Sequence, residues 1–549
     1  MKSEDNQDEL HDMKHIEQIE TVPGTEILFD SDGAAGHLYA YLQHVEKKGH
    51  RILLVPQPSR VDPNDPLTWS RLKKAIVFGN ACLYSFLGGV TGPIIAAGMI
   101  CLLRPGWDPF SDMTPAGIIQ LTEVYDASFQ KINIAVAANL ICTGVGCFYW
   151  MPFLAKFGRR PTYLITAVVM CACLIWQGFA TRTTYTSFLV ARIIMGLGQS
   201  PIYSIAPTTI RDIYFVHHQG AMIAFYGLSV LVAAQIGPML SSFIIYSIGP
   251  AWSFWILACC LGVNLITMFF TMPETMYYGE RPKVAPAEPG DLDTVGQVQT
   301  VEKRSWTREL TIWPGGNPTV DLRAIFLKPF ILCLNPIIIW ASLVYGMSFI
   351  SLTTLAATAA QIFGEAPYFF NSIDQGLVFL SPFVGSLCAT FFCSYVVDKI
   401  VIRATQRNGG VREPEMRLFS LLVAAGVTVV GSIVCALCLH YETQYMGPIV
   451  GFGIITVSNQ IGANIGMSYP LDCYPQSTAE VMVSVTFLRS VVTWIWNWFI
   501  NTWLTNCGPL VVFLSMGAIQ VAFQLSSIGF LVWGKKLRVA LHQRHILGS

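Results

Sequence analysis

Charged and amide side chains set inside long apolar runs are where this sequence can do chemistry, because an unpaired polar group in hydrocarbon is costly. Arg192 is such a residue, in the run Phe188-Leu-Val-Ala-Arg-Ile-Ile-Met-Gly-Leu-Gly-Gln-Ser200, which also holds Gly196 and continues to Tyr203. Its guanidinium must face the protein interior or a wet cavity. Coupling or substrate contact is the functional reading, and a tie to backbone carbonyls of a neighbouring helix is the structural one. Acids are scarce in these runs: Asp374 lies near the outer end of one, Asp472 sits in Ser468-Tyr-Pro-Leu-Asp-Cys-Tyr474, and Glu480 starts the next. Asp472 and Glu480 are candidate proton carriers, with a solvated helix cap as the ordinary alternative. Asn80, Tyr84, Asn139, Gln235, Asn335, Tyr345, Asn459, Gln460 and Asn464 add hydrogen-bonding groups that can meet a ligand or tie helices together. The ladder Trp494-Ile-Trp-Asn-Trp498 with Trp503 stands beside Arg489, Asn497 and Asn501. Indoles at every second residue wrap round a helix, so they cannot all line one pocket.

The elements that must position these groups are membrane helices. With 53% hydrophobic and only 12% charged residues over 549 positions, the chain carries too little charge to solvate a soluble protein of that size. Apolar runs near the roughly 20 residues needed to cross a bilayer predict spans near 75–100, 132–154, 162–180, 187–210, 220–246, 252–272, 330–356, 370–394, 417–440, 446–470, 480–503 and 509–533. The expected fold is therefore an all-α integral membrane protein of about twelve transmembrane helices in two six-helix halves. Residues 1–70 read as a polar cytoplasmic tail, 71–272 and 330–534 as the two halves, 273–329 as a cytoplasmic linker rich in Pro, Gly and charge, and 535–549 as a cytoplasmic C-terminal tail. Pro56, Pro58, Pro63 and Pro66 rule out regular helix at the end of the first tail, and Trp69 with Arg71, Lys73 and Lys74 reads as an interfacial anchor.

Orientation follows from the cations. Of the 34 Lys and Arg residues, Arg104, Lys131 and Arg182 fall outside on this map and Arg192 and Arg489 within spans, while the rest fall in segments that come out cytoplasmic. A shift of the map by one span would break that bias. The equal count of 34 acids gives no electrostatic reason to expect a nucleic-acid partner. The fifteen cysteines lie mostly within apolar runs and read as small hydrophobes. His217-His218 lacks a helical His partner, so no metal is expected. Gly529-Phe-Leu-Val-Trp-Gly-Lys-Lys536 misses the last position of a phosphate-binding loop and ends a span. Neither a cofactor nor a catalytic constellation is expected.

Three motifs remain. Met151-Pro-Phe-Leu-Ala-Lys-Phe-Gly-Arg-Arg-Pro161 is a basic turn between the second and third spans, Arg192 with Gly196 sits in the fourth, and Ala224, Ala233, Gly237, Pro238, Ser241 and Ser242 form a row of small residues with a bend in the fifth. Together with Met272-Pro-Glu-Thr275 and Pro63-Asn-Asp-Pro-Leu-Thr-Trp69, these resemble the major facilitator superfamily over 71–534, in particular its fungal twelve-span drug:proton antiporter group and the histidinol/polyamine-permease-like branch. The turn is similar to the family's G-x-x-x-D-[RK]-x-G-R-[RK] signature through Lys156, Gly158, Arg159 and Arg160, with Met151 and Ala155 replacing its glycine and aspartate. The matching turn of the second half keeps Asp398 and Lys399 but loses Gly-Arg-Arg.

The resemblance implies a conformational switch at Lys156, Gly158, Arg159, Arg160, Asp398 and Lys399, and coupling or helix packing at Arg192, Gly196, Gly237, Pro238, Asp472 and Glu480. It implies alternating access around a midplane site, for which Asn80, Tyr84, Tyr203, Gln235, Tyr345, Asp374, Asn464, Trp494 and Asn497 are the candidate substrate contacts. The implied activity is proton-coupled efflux of a natural product or xenobiotic across a fungal plasma membrane, with small-molecule substrate, protons and lipid as partners. Uptake of polyamines or related organic cations is the alternative, which aromatic groups near Asp374 or Asp472 would suit. With Ala155 in place of an acid, the arginines of the turn are expected to find carboxylates or carbonyl ends on a facing helix.

Overall fold

The computed structural model describes residues 26–27, 44–47, 50–53, 59, 62–94, 129–181, 184–277, 279, 305–311, 313, 322–364, 367–408, 411–474 and 477–543. Among these, crossings in chain order are α1 (Arg71–Val90), α2 (Phe129–Phe157), α3 (Arg159–Ala180), α4 (Tyr185–Ile213), α5 (Val216–Ile248) and α6 (Pro250–Thr271). They are followed by α7 (Pro336–Gly364), α8 (Ile373–Arg407), α9 (Phe419–His440), α10 (Met446–Cys473), α11 (Thr478–Asn497) and α12 (Ile500–Leu525). Eleven of the described helices are long and apolar enough to cross a membrane. α1 is the remaining crossing, and it places Arg71, Lys73 and Lys74 in its first turn. The described strands are pairs of two to four residues outside the crossings. The protein is thus an all-α, multi-pass membrane protein with the predicted helix plan.

Local chemistry sets most helix ends. α1 starts at Ser70, whose hydroxyl accepts from the Lys73 amide, and Gly249 turns the chain between α5 and α6 at φ +106°, where side-chain-bearing residues are strained. α4 breaks between Gln199 and Ile202 at Pro201. The seventh crossing begins later than the sequence pattern predicts. The apolar run from 330 is divided between a separate helix, Leu322–Leu332, and α7, because Asn335 accepts from the Ile337 amide and Pro336 restarts the chain. α8 passes through a π-helical turn at Phe392–Val397 before its last stretch, Asp398–Arg407, and Gly508 at φ +76° kinks α12. Past α12 the chain continues as helix Ser527–Gln543, which overlaps the predicted tail.

The side bearing both ends of the bundle and the segment between α6 and α7 is here called the linker side. Burial sorts the helices by position: 78% of the apolar window of α7 and 72% of that of α10 are buried, against 33% for α6 and 39% for α12. Inner helices therefore expose little to lipid, and their polar residues face protein. The halves meet where α2 lies along α11 and α5 along α8. Phe148 of α2 stacks on Phe330 at 4.1 Å and meets Phe487 of α11 edge-on at 4.9 Å. Small residues bring the backbones this close. A Cβ on Gly144 would meet Ser490, one on Gly89 would meet Ala233, and one on Gly376 of α8 would overlap Ser242 of α5.

Gly376→Val should therefore push α8 off α5 and lower the melting temperature in detergent, an overpacking cost of about 1–3 kcal/mol. Gly262→Val, where a Cβ meets nothing within 4 Å, is the control and should leave it unchanged. Equal melting of both variants would contradict this packing.

Candidate functional site

The basic turn shows how the chain replaces the acid lost at Ala155. Gly158 takes φ +96° at the start of α3, and the Glu274 carboxylate lies against its missing Cβ. Glu274 accepts from the amides of Arg159 at 2.9 Å and Arg160 at 3.0 Å, capping α3 from the segment after α6. The Arg159 side chain pairs with Asp212 at the end of α4 at 3.1 Å. Arg160, buried, donates to the carbonyls of Met272, Phe269 and Leu310. The partners are thus the carboxylates and carbonyl ends expected of facing helices. Glu274 belongs to the Met272-Pro-Glu-Thr275 segment, which the sequence offered as a family mark with no role attached. Lys156 is half-buried, its ammonium 5.6 Å from the Phe157 ring centroid.

The second half repeats this arrangement at positions that its turn does not announce. Arg417, at the head of α9, pairs with Asp472 at the end of α10 at 3.1 Å, as Arg159 of α3 pairs with Asp212 of α4. Glu415 and Arg538 form a buried two-bond pair at 2.8 Å each, joining the start of α9 to the helix after α12. Lys399, by contrast, is exposed with its ammonium 3.9 Å from the Tyr395 ring, and the Asp398 side chain lies outside the described residues. The charges after α8 were legible in sequence; the Arg417–Asp472 and Glu415–Arg538 pairs required the helices to be brought together. Between the halves, Arg211 donates to Thr478 of α11, so Asp212, held by Arg159, stands next to a residue that bridges them.

Higher in the bundle, Arg192 is buried and donates to the carbonyls of Thr91 at 2.8 Å and Gly92 at 3.5 Å, just past the end of α1. Its guanidinium lies 5.4 Å from the Phe188 ring and 5.9 Å from Phe254. Gly196, one turn on, lets α4 approach Asn139 and Cys142 of α2. Gly237 sits against Val90 of α1, next to Pro238 inside α5. Arg192 thus joins α4 to the end of α1 through Nη1, while its buried Nε and Nη2 have no hydrogen-bond partner among the described residues.

The midplane holds a different constellation. Arg489 of α11 is buried and donates to the Tyr345 hydroxyl at 2.9 Å. Its guanidinium carbon lies 4.2 Å from the ring centroid of Phe349, 4.5 Å from Tyr203 and 4.9 Å from Tyr345, which places three aromatic faces round one cation. Phe349 is shared with a cavity of about 10 Å³, room for a single water, lined also by Gln235 of α5, Ser348 of α7, Ser386 of α8 and Asn459 and Gln460 of α10. The cavity lies between the halves, with the Arg211–Thr478 contact on its linker side and the Gly376–Ser242 contact on the other. Arg489 appears in the sequence as a neighbour of the tryptophan ladder; only the approach of α4 and α7 makes it a centre.

The other predicted contacts are distributed. Tyr203, Tyr345 and Gln235 come together here, and Asn464, half-buried on α10, lies near Gly227 of α5. Tyr84 is buried within the first half, bonded to Thr166 at 2.7 Å. Asn80 bonds Thr271 and Thr267 of α6 at 2.8 and 3.0 Å. Trp494 meets Trp498, which is exposed, and Asn497 donates to Thr493 in its own helix. Asp374 lies in the first turn of α8 on the side opposite the linker, and Glu480, half-buried, in the first turn of α11. Among the described residues no three His, Cys, Asp or Glu side chains could hold a metal, and every cysteine is unbridged.

Removing one partner of a buried ion pair strands the other charge, at about 3–5 kcal/mol. Glu415→Gln should accordingly lower thermal stability sharply, whereas Glu413→Gln, which loses only the exposed Lys535 pair, should change it by less than about 1 kcal/mol. Equal melting temperatures for the two variants would count against a structural role for Glu415–Arg538.

Comparison with known proteins agrees with this architecture. A family model described as Major Facilitator Superfamily matches residues 77–496. The chain is 24% identical to a probable efflux pump of Aspergillus flavus, mfs2, over 78% of this chain and 98% of that protein. It is 24% identical to a probable drug/proton antiporter of Saccharomyces cerevisiae, YHK8, over 74% of this chain and 75% of that one. The partially occluded, inward-open structure of the xylose transporter XylE from E. coli superposes with a TM-score of 0.55 at 14% identity, over 82% of this chain and 97% of that one. With the motif turn, the paired arginines and the two meeting halves all in place, the chain belongs to the Major Facilitator Superfamily and is a membrane transporter of that family.

Proposed function

We propose that this transporter exports a small natural product or xenobiotic in exchange for protons, from a fungal plasma membrane with both termini in the cytoplasm. The observation that carries the reading is the midplane cavity between the halves, closed by contacts on both sides and lined by amides with unspent donors. A site of that kind can serve alternating access when one set of contacts opens at a time. Similarity to a probable efflux pump and a probable drug/proton antiporter supports export and proton exchange.

The coupling we propose runs through the linker-side pairs. Among the described residues the buried carboxylates are Asp65 and Glu415, both at that side, and none of them lies at the midplane. Asp212 and Asp472 are part-exposed and each holds an arginine. Protonating either removes the charge that holds Arg159 or Arg417, loosening the end of α4 beside Arg211 or of α10 beside α11. Among the described residues no midplane carboxylate offers a counter-charge to an organic dication, so the polyamine reading draws no support there.

In proteoliposomes with an imposed pH gradient, flux of fluorescent xenobiotics spanning cations, neutrals and anions should follow the gradient. It should fall at least about tenfold in Asp212→Asn with Asp472→Asn if each pair contributes the 1 kcal/mol or so of a partly exposed bond. Wild-type flux that ignores the gradient would overturn proton coupling. Arg159→Ala, which touches the switch and not the cavity, should reduce flux with substrate affinity intact; unchanged flux in correctly inserted protein would refute its role.

A further inference from the structure

The orphaned buried polar atoms that line the midplane cavity, and Arg489 Nε near it, can all donate a hydrogen bond. Arg489 brings a full positive charge, and no described carboxylate pairs with it; its Nε, buried, has no hydrogen-bond partner among the described residues. Asn459 has its Oδ1 occupied by Gln520 Nε2 at 2.8 Å, which leaves the Nδ2 donors free. Gln460 Nε2 and Ser386 Oγ, also buried and unpartnered, line the same cavity. A guanidinium and two primary amides therefore present N–H groups, with a hydroxyl that can donate as well. Leu231, Leu352, Ala463 and Phe349 supply the apolar remainder of the lining.

Arg489 shares Phe349 with the cavity that these donors line, and a desolvated cation beside such a cavity calls for an acceptor that carries negative charge. The three aromatic faces soften the cost of burying Arg489 without neutralising it. An incoming ammonium would face repulsion from Arg489 at low dielectric, whereas a carboxylate would satisfy both the charge and the orphan donors. Arg192 differs in its surroundings: its Nη1 meets the carbonyls of Thr91 and Gly92 just past α1, although its buried Nε and Nη2, like Arg489 Nε, have no hydrogen-bond partner among the described residues. The cavity admits only a water in this conformation, so a ligand enters when the halves part.

We propose that the substrate is an organic carboxylate with an apolar body, its carboxylate received by Arg489 together with the free amide donors of Asn459 and Gln460. This rests on the transporter reading of the midplane cavity and names the class of molecule that it takes.

The test uses the full-length protein in lipid nanodiscs and an isosteric pair of probes, 1-naphthoate and 1-naphthylmethylammonium, with binding read by quenching of intrinsic tryptophan fluorescence. The wild type should bind naphthoate and discriminate against the ammonium. Arg489→Gln should weaken naphthoate at least about tenfold, the worth of a charge-assisted hydrogen bond, and remove the discrimination. Arg489→Lys should recover part of the affinity. Gln460→Leu, which leaves every charge in place, should weaken naphthoate several-fold and so tests the site even if Arg489→Gln fails to fold. Binding of neither probe, preference for the ammonium, or naphthoate affinity indifferent to both Arg489→Gln and Gln460→Leu would overturn the proposal. Gradient-driven flux measured alongside separates the two readings. Flux of cations without naphthoate binding sinks the carboxylate assignment alone, and Arg489-dependent binding without gradient-dependent flux sinks proton coupling alone.

Discussion

Hydrocarbon does not solvate charge, and the placement of arginine in this protein follows from that. Arg160, Arg192, Arg489 and Arg538 are among its largest fully buried side chains. Each must recover within the protein what it loses in water, and they do so in four ways. Arg160 takes backbone carbonyls at the end of α6, Arg192 those beyond α1, and Arg538 a carboxylate in a two-bond pair. Arg489 has aromatic faces and phenol oxygens. Only Arg538 is matched by a carboxylate in this way; Arg160 and Arg192 rest on carbonyls and keep buried nitrogens without a hydrogen-bond partner among the described residues. What sets Arg489 apart is its place, beside the cavity where the halves meet, with no described carboxylate paired to it.

That contrast gives the molecule its division of labour. At the linker side, charges are paired in two related sets, Arg159–Asp212 with Glu274 in the first half and Arg417–Asp472 with Glu415–Arg538 in the second. Part-exposed pairs contribute little net stability and rearrange cheaply, which suits the moving end of a helix, whereas the buried Glu415–Arg538 pair suits a fixed joint. Among the described residues the polar lining of the midplane cavity is amides and hydroxyls, with no acid. Small residues let α1, α5 and α8 approach closely on the other side, where Gly376 leaves no room beside Ser242. Contacts of opposite character thus bracket the cavity: ionic and polar on the linker side, steric on the other.

Much of the helix plan was legible from the chain alone, because hydrocarbon thickness imposes length and composition on every crossing regardless of its neighbours. The seventh crossing departs from the pattern at Asn335-Pro336, where a side-chain cap outweighs continuous hydrophobicity. Family marks could be read at Gly158, Arg159 and Arg160, since a basic turn between two short-looped helices is local. The expectation that these arginines would find partners elsewhere follows from Ala155, but naming Asp212 and Glu274 does not: they lie 53 and 115 residues along the chain from Arg159.

The sequence by itself determined which segments cross the membrane and where charge had to be resolved, because burial in lipid acts on each helix separately. Tertiary structure decided which partner resolved each charge. Arg192 and Arg489 look alike as single cations in apolar runs, yet one meets backbone carbonyls and the other three aromatic rings, one of which lines the cavity. The difference lies in what faces them, carbonyls past the end of α1 in one case and the rings of α4 and α7 in the other. Facing is a property of helix packing, which depends on small residues hundreds of positions apart coming into contact, and no local pattern carries it.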